Sequence, residues 1–245
     1  MNIKKEHLFE SYFFLLFLGV MIGYVLFSQS AQYQESAPSD MVRASSNIVA
    51  VSSSDNTGVL GKVEIEIHPN GRGRVLMNTN PFLEPDTQYS AETAALVAQA
   101  FTKKSLAERD VILSFNITGD LIGGPSAGAA ITATMIAAIE NRTVRDNVSV
   151  TGTIEPDGTI GTVGSVLEKA RAAAEAGIKL FLVPQGQSVI SYYEKVATEE
   201  VFAGFNIHRI SYVPKSVDIN NYTMQWGMET KEVSDISQLA DYMLE

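Results

Sequence analysis

The sequence predicts a mixed α/β (α+β) domain behind an N-terminal apolar segment, and three observations carry that prediction. Residues 63–68, Val-Glu-Ile-Glu-Ile-His, alternate between apolar and polar types, the mark of a half-buried strand. Residues 91–103 place Ala94, Ala95, Val97, Ala98 and Phe101 on one side of a helical period, and residues 129–138 are almost wholly apolar, so both read as packed helices. Residues 179–184, Lys-Leu-Phe-Leu-Val-Pro, read as a buried strand closed by a proline. Helices and strands interleave without an internal repeat, as this fold class requires.

The chain's 245 residues suffice for one globular domain with additional segments. A net charge of −10 and a pI near 4.8 offer phosphates no basic face, so no nucleic-acid partner is expected. Cysteine is absent, and His7, His68 and His208 are scattered without ligand-like spacing. Neither a metal centre nor thiolate chemistry is expected, and a histidine-based triad has little to build on. No G-x-x-x-x-G-K-[ST] loop occurs and no cofactor is implied.

Residues 12–27 carry no charge and span about 24 Å as a helix, against a hydrocarbon core of roughly 30 Å. Lys4 and Lys5 precede them, and the next basic residue is Arg43, which places the N-terminus in the cytoplasm and the body outside. Residues 1–30 are read as a cytoplasmic stub with a transmembrane anchor, or as a signal segment cut near residues 28–31. Residues 31–46, rich in Ser, Gln and Ala, read as a flexible linker, and residues 47–245 as the folded domain.

Within that domain residues 48–51 read as a short strand, and residues 69–71 as a turn leading strand 63–68 to a partner at 73–78. Ser90 is placed to cap the helix at 91–103, which is followed by a strand at 110–117. Residues 148–154 and 159–163 read as strands joined by the Glu-Pro-Asp-Gly turn at 155–158. Ser165 is expected to cap a helix that runs to about residue 176 and stops at Gly177. A helical patch at 192–198, a strand at 206–213 and a helix at 234–244 complete the reading.

Two places carry chemistry. The first is Gly123-Gly124-Pro125-Ser126-Ala127-Gly128, which leads into the apolar helix. Pro125 suits a first helical turn, and Ser126 stands where a helix start presents free N–H groups. Backbone N–H groups of Ser126 and Ala127 can serve there as an oxyanion hole. Alone, the pattern equally describes a serine N-cap.

The second is Lys169. Glu168, Arg171 and Glu175 form the solvated side of its helix, and Val166, Ala170 and Ala173 the packed side, toward which Lys169 leans. Such a lysine either snorkels to water or is desolvated, and desolvation lowers its pKa. A serine hydroxyl needs a base to become a nucleophile, and a neutral lysine is one. Without a suitable histidine, Ser126 paired with Lys169 is the simplest arrangement, and Thr151 can hold the amine with its hydroxyl.

Residues 124–128 (Gly-Pro-Ser-Ala-Gly), 151–154 (Thr-Gly-Thr-Ile), 157–164 (Asp-Gly-Thr-Ile-Gly-Thr-Val-Gly) and 168–170 (Glu-Lys-Ala) together resemble the proteolytic domain of the Lon protease family, most nearly its archaeal stand-alone members. The 43-residue separation of Ser126 and Lys169 also fits that family. The resemblance covers about residues 46–190. It implies an endopeptidase acting on polypeptides, with Ser126 attacking the peptide carbonyl and Lys169 moving the proton. It also implies a fold shared with a domain of a small-subunit ribosomal protein, and often a homo-oligomeric ring. Lon carries an aspartate three residues before its serine, where this chain has Gly123; the nearest acid is Asp120. Lon also carries an ATPase, and these residues have none, so an ATP-independent enzyme acting on unfolded polypeptide outside the cytoplasm is expected.

Two other classes stay open on the residues. Small-molecule kinases of the galactose, homoserine and mevalonate group resemble this fold and hold phosphate with a Gly/Ser-rich loop. A catalytically silent version of the protease scaffold can instead serve as an extracellular binding or assembly module.

Overall fold

The computed structural model describes residues 17–18, 20–21, 41–52, 56–118, 121–202 and 205–245, without the side chains of 121–122 and 200–207. The chain divides into two units, Met1–Ser39 and Asp40–Glu245. In the first, Phe17, Leu18, Val20 and Met21 are helical, and the rest of the apolar run at 12–27 lies outside the described residues, as does Asp120. Among the described residues, no helix is long and apolar enough to cross a membrane.

In the second unit the strands are β1 (Val42–Val51), β2 (Gly58–Pro69), β3 (Val75–Met77) and β4 (Phe82–Leu83), followed by helix α1 (Pro85–Thr102). Strands β5 (Arg109–Asn116) and β6 (Leu121–Ile122) precede helix α2 (Gly128–Glu140). Strands β7 (Val148–Val150), β8 (Thr153–Ile154) and β9 (Ile160–Gly161) lead to helix α3 (Val166–Glu175), and β10 (Leu180–Pro184) follows. The chain ends with β11 (Val189–Phe202), β12 (Phe205–Asp218), α4 (Ile219–Thr223), a 3₁₀ turn at Met224–Trp226, β13 (Glu229–Val233) and α5 (Ile236–Met243).

Seven strands form one mixed sheet in the order β13-β10-β7-β1-β2-β5-β3. Strands β13, β10, β7 and β1 run parallel to one another, and β1–β2 and β2–β5 pair antiparallel. Strand alternation sends successive side chains to opposite faces, and the two cores show it. Ile48 joins Ile65, Ile67, Ile131 and Met135 in one cluster, whereas its neighbour Val49 joins Val166, Ala170 and Ala173 in the other. Leu182 likewise faces the first cluster while Phe181 and Val183 face the second. Helices α1, α2 and α5 therefore cover one face of the sheet, and α3 and α4 the other.

Helix α2 is buried from Gly128 through Ala138, as its apolar composition demands. Its two interior threonines return their hydroxyls to their own helix, Thr132 to Gly128 O at 2.8 Å and Thr134 to Ala130 O at 2.7 Å. Helix α1 buries the stripe Thr87, Ser90, Ala91, Ala94, Ala95, Val97 and Ala98.

Several local expectations are corrected. Strand β3 pairs in parallel with β5, and β2 takes β1 and β5 as partners, so the turn at 69–71 does not lead into a hairpin. Helix α1 starts at Pro85, which seats its ring in the first turn, and Ser90 is an interior, buried residue of it. Strand β1 begins at Val42, inside the stretch read as spacer, because pairing with β2 from Val42↔Ile67 onward satisfies its backbone.

Residues 192–198 belong to β11, which pairs along its whole length with β12, from Val189↔Asp218 to Phe202↔Phe205. Ile190, Tyr192, Tyr193, Val196 and Thr198 are types that favour a pleated ribbon, and a long partner of similar composition outweighs the weak helical spacing. The expected strand at 148–154 divides into β7 and β8, because Thr151 N–H still donates to Leu182 O of β10 whereas Gly152 N–H turns from the sheet to Ser126 O.

Candidate active site

Ser126 does not sit in the first turn of α2. It lies in a turn closed by Gly128 N–H donating to Pro125 O at 3.0 Å, with Ala127 at the N-cap position. Gly124 adopts φ +80, a left-handed conformation that glycine takes without penalty, and this turns the chain toward Ser126. Gly128 is required by close approach: a Cβ there would lie 2.5 Å from Ser90 Oγ and 2.9 Å from Ile154 Cγ2.

Lys169 projects from the second turn of α3, on the helix face that carries Val166, Ala170 and Ala173 into the core. It is 5% exposed, so it does not snorkel to water. Its Nζ passes the end of β7 to donate to Ser126 Oγ at 2.8 Å and to Thr151 Oγ1 at 3.2 Å. Thr151, fully buried, donates its own hydroxyl proton to Ser126 O at 3.4 Å. The structure thus brings Ser126, Thr151 and Lys169 together from a turn, a strand end and a helix.

No carboxylate pairs with this lysine among the described residues. Burial alone lowers its pKa from the ordinary lysine value to about 8. About a tenth of the amine is then neutral at pH 7, with a lone pair within hydrogen-bond reach of the Ser126 hydroxyl. That geometry suits proton transfer from serine to lysine.

Ser126 and Lys169 line a groove of about 390 Å³, together with Ala50, Val51, Ile117 and Val163. Lys169 is the one ionisable side chain lining it among the described residues. Ser165, whose residue type suggested a capping side chain, makes no such bond; it holds φ +55 and its carbonyl accepts from Lys169 N–H at 3.1 Å. Among the described residues, no group of His, Asp or Glu side chains has the arrangement of a metal site.

Three residues around the groove escape sequence reasoning. Gln187 grips Val163 as a strand would: its Oε1 accepts from Val163 N–H at 2.9 Å and its Nε2 donates to Val163 O at 2.8 Å. This holds the loop that leads into α3. From the other side, Thr87 donates to Gly124 O at 3.2 Å and Ser90 to Pro125 O at 3.3 Å. Their signal was present in the sequence as two hydroxyl residues at the head of the buried stripe of α1, where apolar side chains belong.

The chain matches the family model described as Lon protease (S16) C-terminal proteolytic domain over residues 95–217. It is 28% identical over 161 residues to an archaeal Lon protease of Thermoplasma volcanium, covering 64% of this chain and 23% of that protein. An archaeal Lon protease of Thermoplasma acidophilum is 30% identical over 135 residues, covering 54% of this chain and 20% of the relative. The Lon protease of Buchnera aphidicola is 35% identical over 101 residues, covering 40% and 12% respectively. The chain therefore spans under a quarter of the length of these relatives.

Proposed function

We propose, from the premise that this chain belongs to the family of the Lon protease C-terminal proteolytic domain, that it is a serine endopeptidase working through Ser126 and Lys169. The observation that carries the proposal is the 2.8 Å contact between Lys169 Nζ and Ser126 Oγ at a buried amine whose pKa lies near 8.

Neutral Lys169 takes the Ser126 proton as Oγ attacks the peptide carbonyl carbon, and the carbonyl π pair moves onto oxygen. The N–H groups of Ser126 and Ala127 receive that oxyanion. The tetrahedral adduct collapses, the C–N bond breaks, and the leaving amine takes the proton from Lys169. An ester on Ser126 remains. Water then attacks the ester while Lys169 accepts its proton, and Ser126 leaves with that proton as the carboxyl product departs. Thr151 keeps the amine aimed throughout by accepting one of its N–H bonds.

Action on polypeptides already unfolded or loosely folded, without ATP, belongs to the same proposal, and cleavage that requires ATP would remove it. The uncharged run at 12–27 behind Lys4 and Lys5 supports a membrane-anchored enzyme with its catalytic domain outside the cytoplasm. A homo-oligomeric ring belongs to the same proposal; sedimentation of the detergent-solubilised full chain at the mass of a single copy would remove it.

The deciding experiment incubates the full chain and its Ser126→Ala variant with an unfolded protein and a quenched-fluorescence peptide, with and without ATP. Cleavage that is ATP-independent and absent from the variant is expected. An inert unmutated chain would leave the scaffold as a binding module, and cleavage that survives Ser126→Ala would remove Ser126 from the mechanism. Protease added outside intact cells should reach the domain if the anchor orientation is right; protection until lysis would overturn it.

A further inference from the structure

The turn that carries Ser126 is held by its carbonyls, and each carbonyl belongs to a peptide unit whose other end matters. Pro125 O accepts from Ser90 Oγ at 3.3 Å and from Gly128 N–H at 3.0 Å. Pro125–Ser126 is a trans peptide, so its N–H points opposite to its C=O. With Pro125 O drawn toward α1, the Ser126 N–H is directed away from α1. The next unit repeats the device: Ser126 O accepts from Gly152 N–H at 2.9 Å and from Thr151 Oγ1 at 3.4 Å, which sets the direction of the Ala127 N–H. Neither the Ser126 nor the Ala127 N–H donates to a partner among the described residues.

One unit earlier, Gly124 O accepts from Thr87 Oγ1 at 3.2 Å, at the residue whose φ of +80 makes the turn. Thr87 and Ser90 stand three residues apart on one face of α1, so a single helical turn grips two consecutive carbonyls of the loop. Both are buried, at 0% and 6% exposure, and water does not replace them. Gly128 completes the fit, because its missing Cβ leaves the room in which Ser90 Oγ lies.

We propose that Ser90, with Thr87, is a positioning residue for the oxyanion hole: by holding Pro125 O and Gly124 O it aims the Ser126 N–H at the oxygen that becomes negative during acyl transfer. This rests on the peptidase reading and deepens it. Neither residue lines the groove that holds Ser126 and Lys169. Ser90 acts through the plane of one peptide bond, and Thr87 through the plane before it.

The test uses Ser90→Ala and Thr87→Val in the full chain, with Thr87→Ser as the conservative variant, on a quenched-fluorescence peptide. Losing an oxyanion donor outright costs about a hundredfold or more in kcat, so a donor that is only misaimed should cost roughly tenfold. KM should stay within about twofold, since ground-state binding does not use the donor. A peptide boronate, whose tetrahedral boron carries a hydroxyl in the oxyanion position, should bind Ser90→Ala weaker by about the same factor as the loss in kcat/KM. Thr87→Ser should recover most of what Thr87→Val loses. A merely structural role would lower the melting temperature without splitting boronate affinity from KM.

If the unmutated chain cleaves and both hydroxyl deletions keep kcat and boronate affinity within about twofold, this inference is overturned while the peptidase reading stands. If the unmutated chain cleaves nothing, both fall. Should Ser90→Ala fail to fold, Thr87→Val and Thr87→Ser decide alone by the same measures.

Discussion

Lys169 Nζ donates to Ser126 Oγ at 2.8 Å from a position where the lysine is 5% exposed. An amine so placed loses most of its hydration, and no carboxylate among the described residues returns it as an ion pair. The consequence is chemical, because the same burial that brings the amine to the hydroxyl lowers its pKa to about 8.

The rate should follow the neutral fraction of that amine. With the pKa of Lys169 lowered to about 8, kcat/KM on a peptide is expected to rise with pH and level off above that value. Two pH units below the midpoint the rate should be roughly a hundredth of the plateau. Initial rates from about pH 6 to pH 10 in one ionic-strength-matched buffer series measure it, and a flat profile across that range would exclude Lys169 as the base.

Stability should carry the same signature. The folded-state pKa of Lys169 lies below its unfolded value of 10.5, at about 8, so between these values the unfolded chain binds a proton that the folded chain does not. Stability therefore rises with pH across that window, and below it the folded state carries the full cost of a buried charge. Lys169→Met removes the charge and keeps the stem. It should be the more stable protein at pH 7, by up to roughly 3 kcal/mol, with the gap closing toward pH 10.5. Urea unfolding of both proteins at the two ends of the window reads the gap; one that does not change with pH contradicts the assignment.

Thr151→Val should separate aiming from basicity. The hydroxyl accepts from Lys169 at 3.2 Å, which favours the protonated amine, so its loss moves the rising limb of the pH–rate profile to lower pH. The amine also loses one of its two guides, and plateau kcat should fall roughly tenfold. Folding stability should drop by about 1 kcal/mol for the lost bonds. A limb that moves upward, or does not move, would show that Thr151 acts only through packing.

Much of the site was legible because its parts are local patterns. The Gly-Gly-Pro-Ser-Ala-Gly run announces a sharp turn into a buried helix whatever surrounds it. Helical phase put Lys169 among Val166, Ala170 and Ala173, and those residues are buried. Thr87, Ser90 and Gln187 were not legible as parts of the site, since a hydroxyl on a buried stripe or an amide in a loop gains meaning only from the carbonyl it meets. The same limit explains the fold's corrections. Residues 192–198 are strand because of β12, and β3 lies beside β5 rather than β2. Strand partners are chosen by sheet contacts, which local residue preference does not encode.

By itself the sequence determined the class of the domain, the packed faces of α1, α2 and α3 and the turn before α2, and it named Ser126 and Lys169 as candidates. These depend on backbone preference and on the period of apolar residues, which act over a few positions. Only the tertiary structure decided that α2 and α3 lie on opposite faces of one sheet, and that the end of β7 leaves a passage through which Lys169 reaches Ser126. It also decided that the amine is dry enough to lose its proton near pH 8, because desolvation is a property of everything packed around a group and not of the group or its neighbours in the chain.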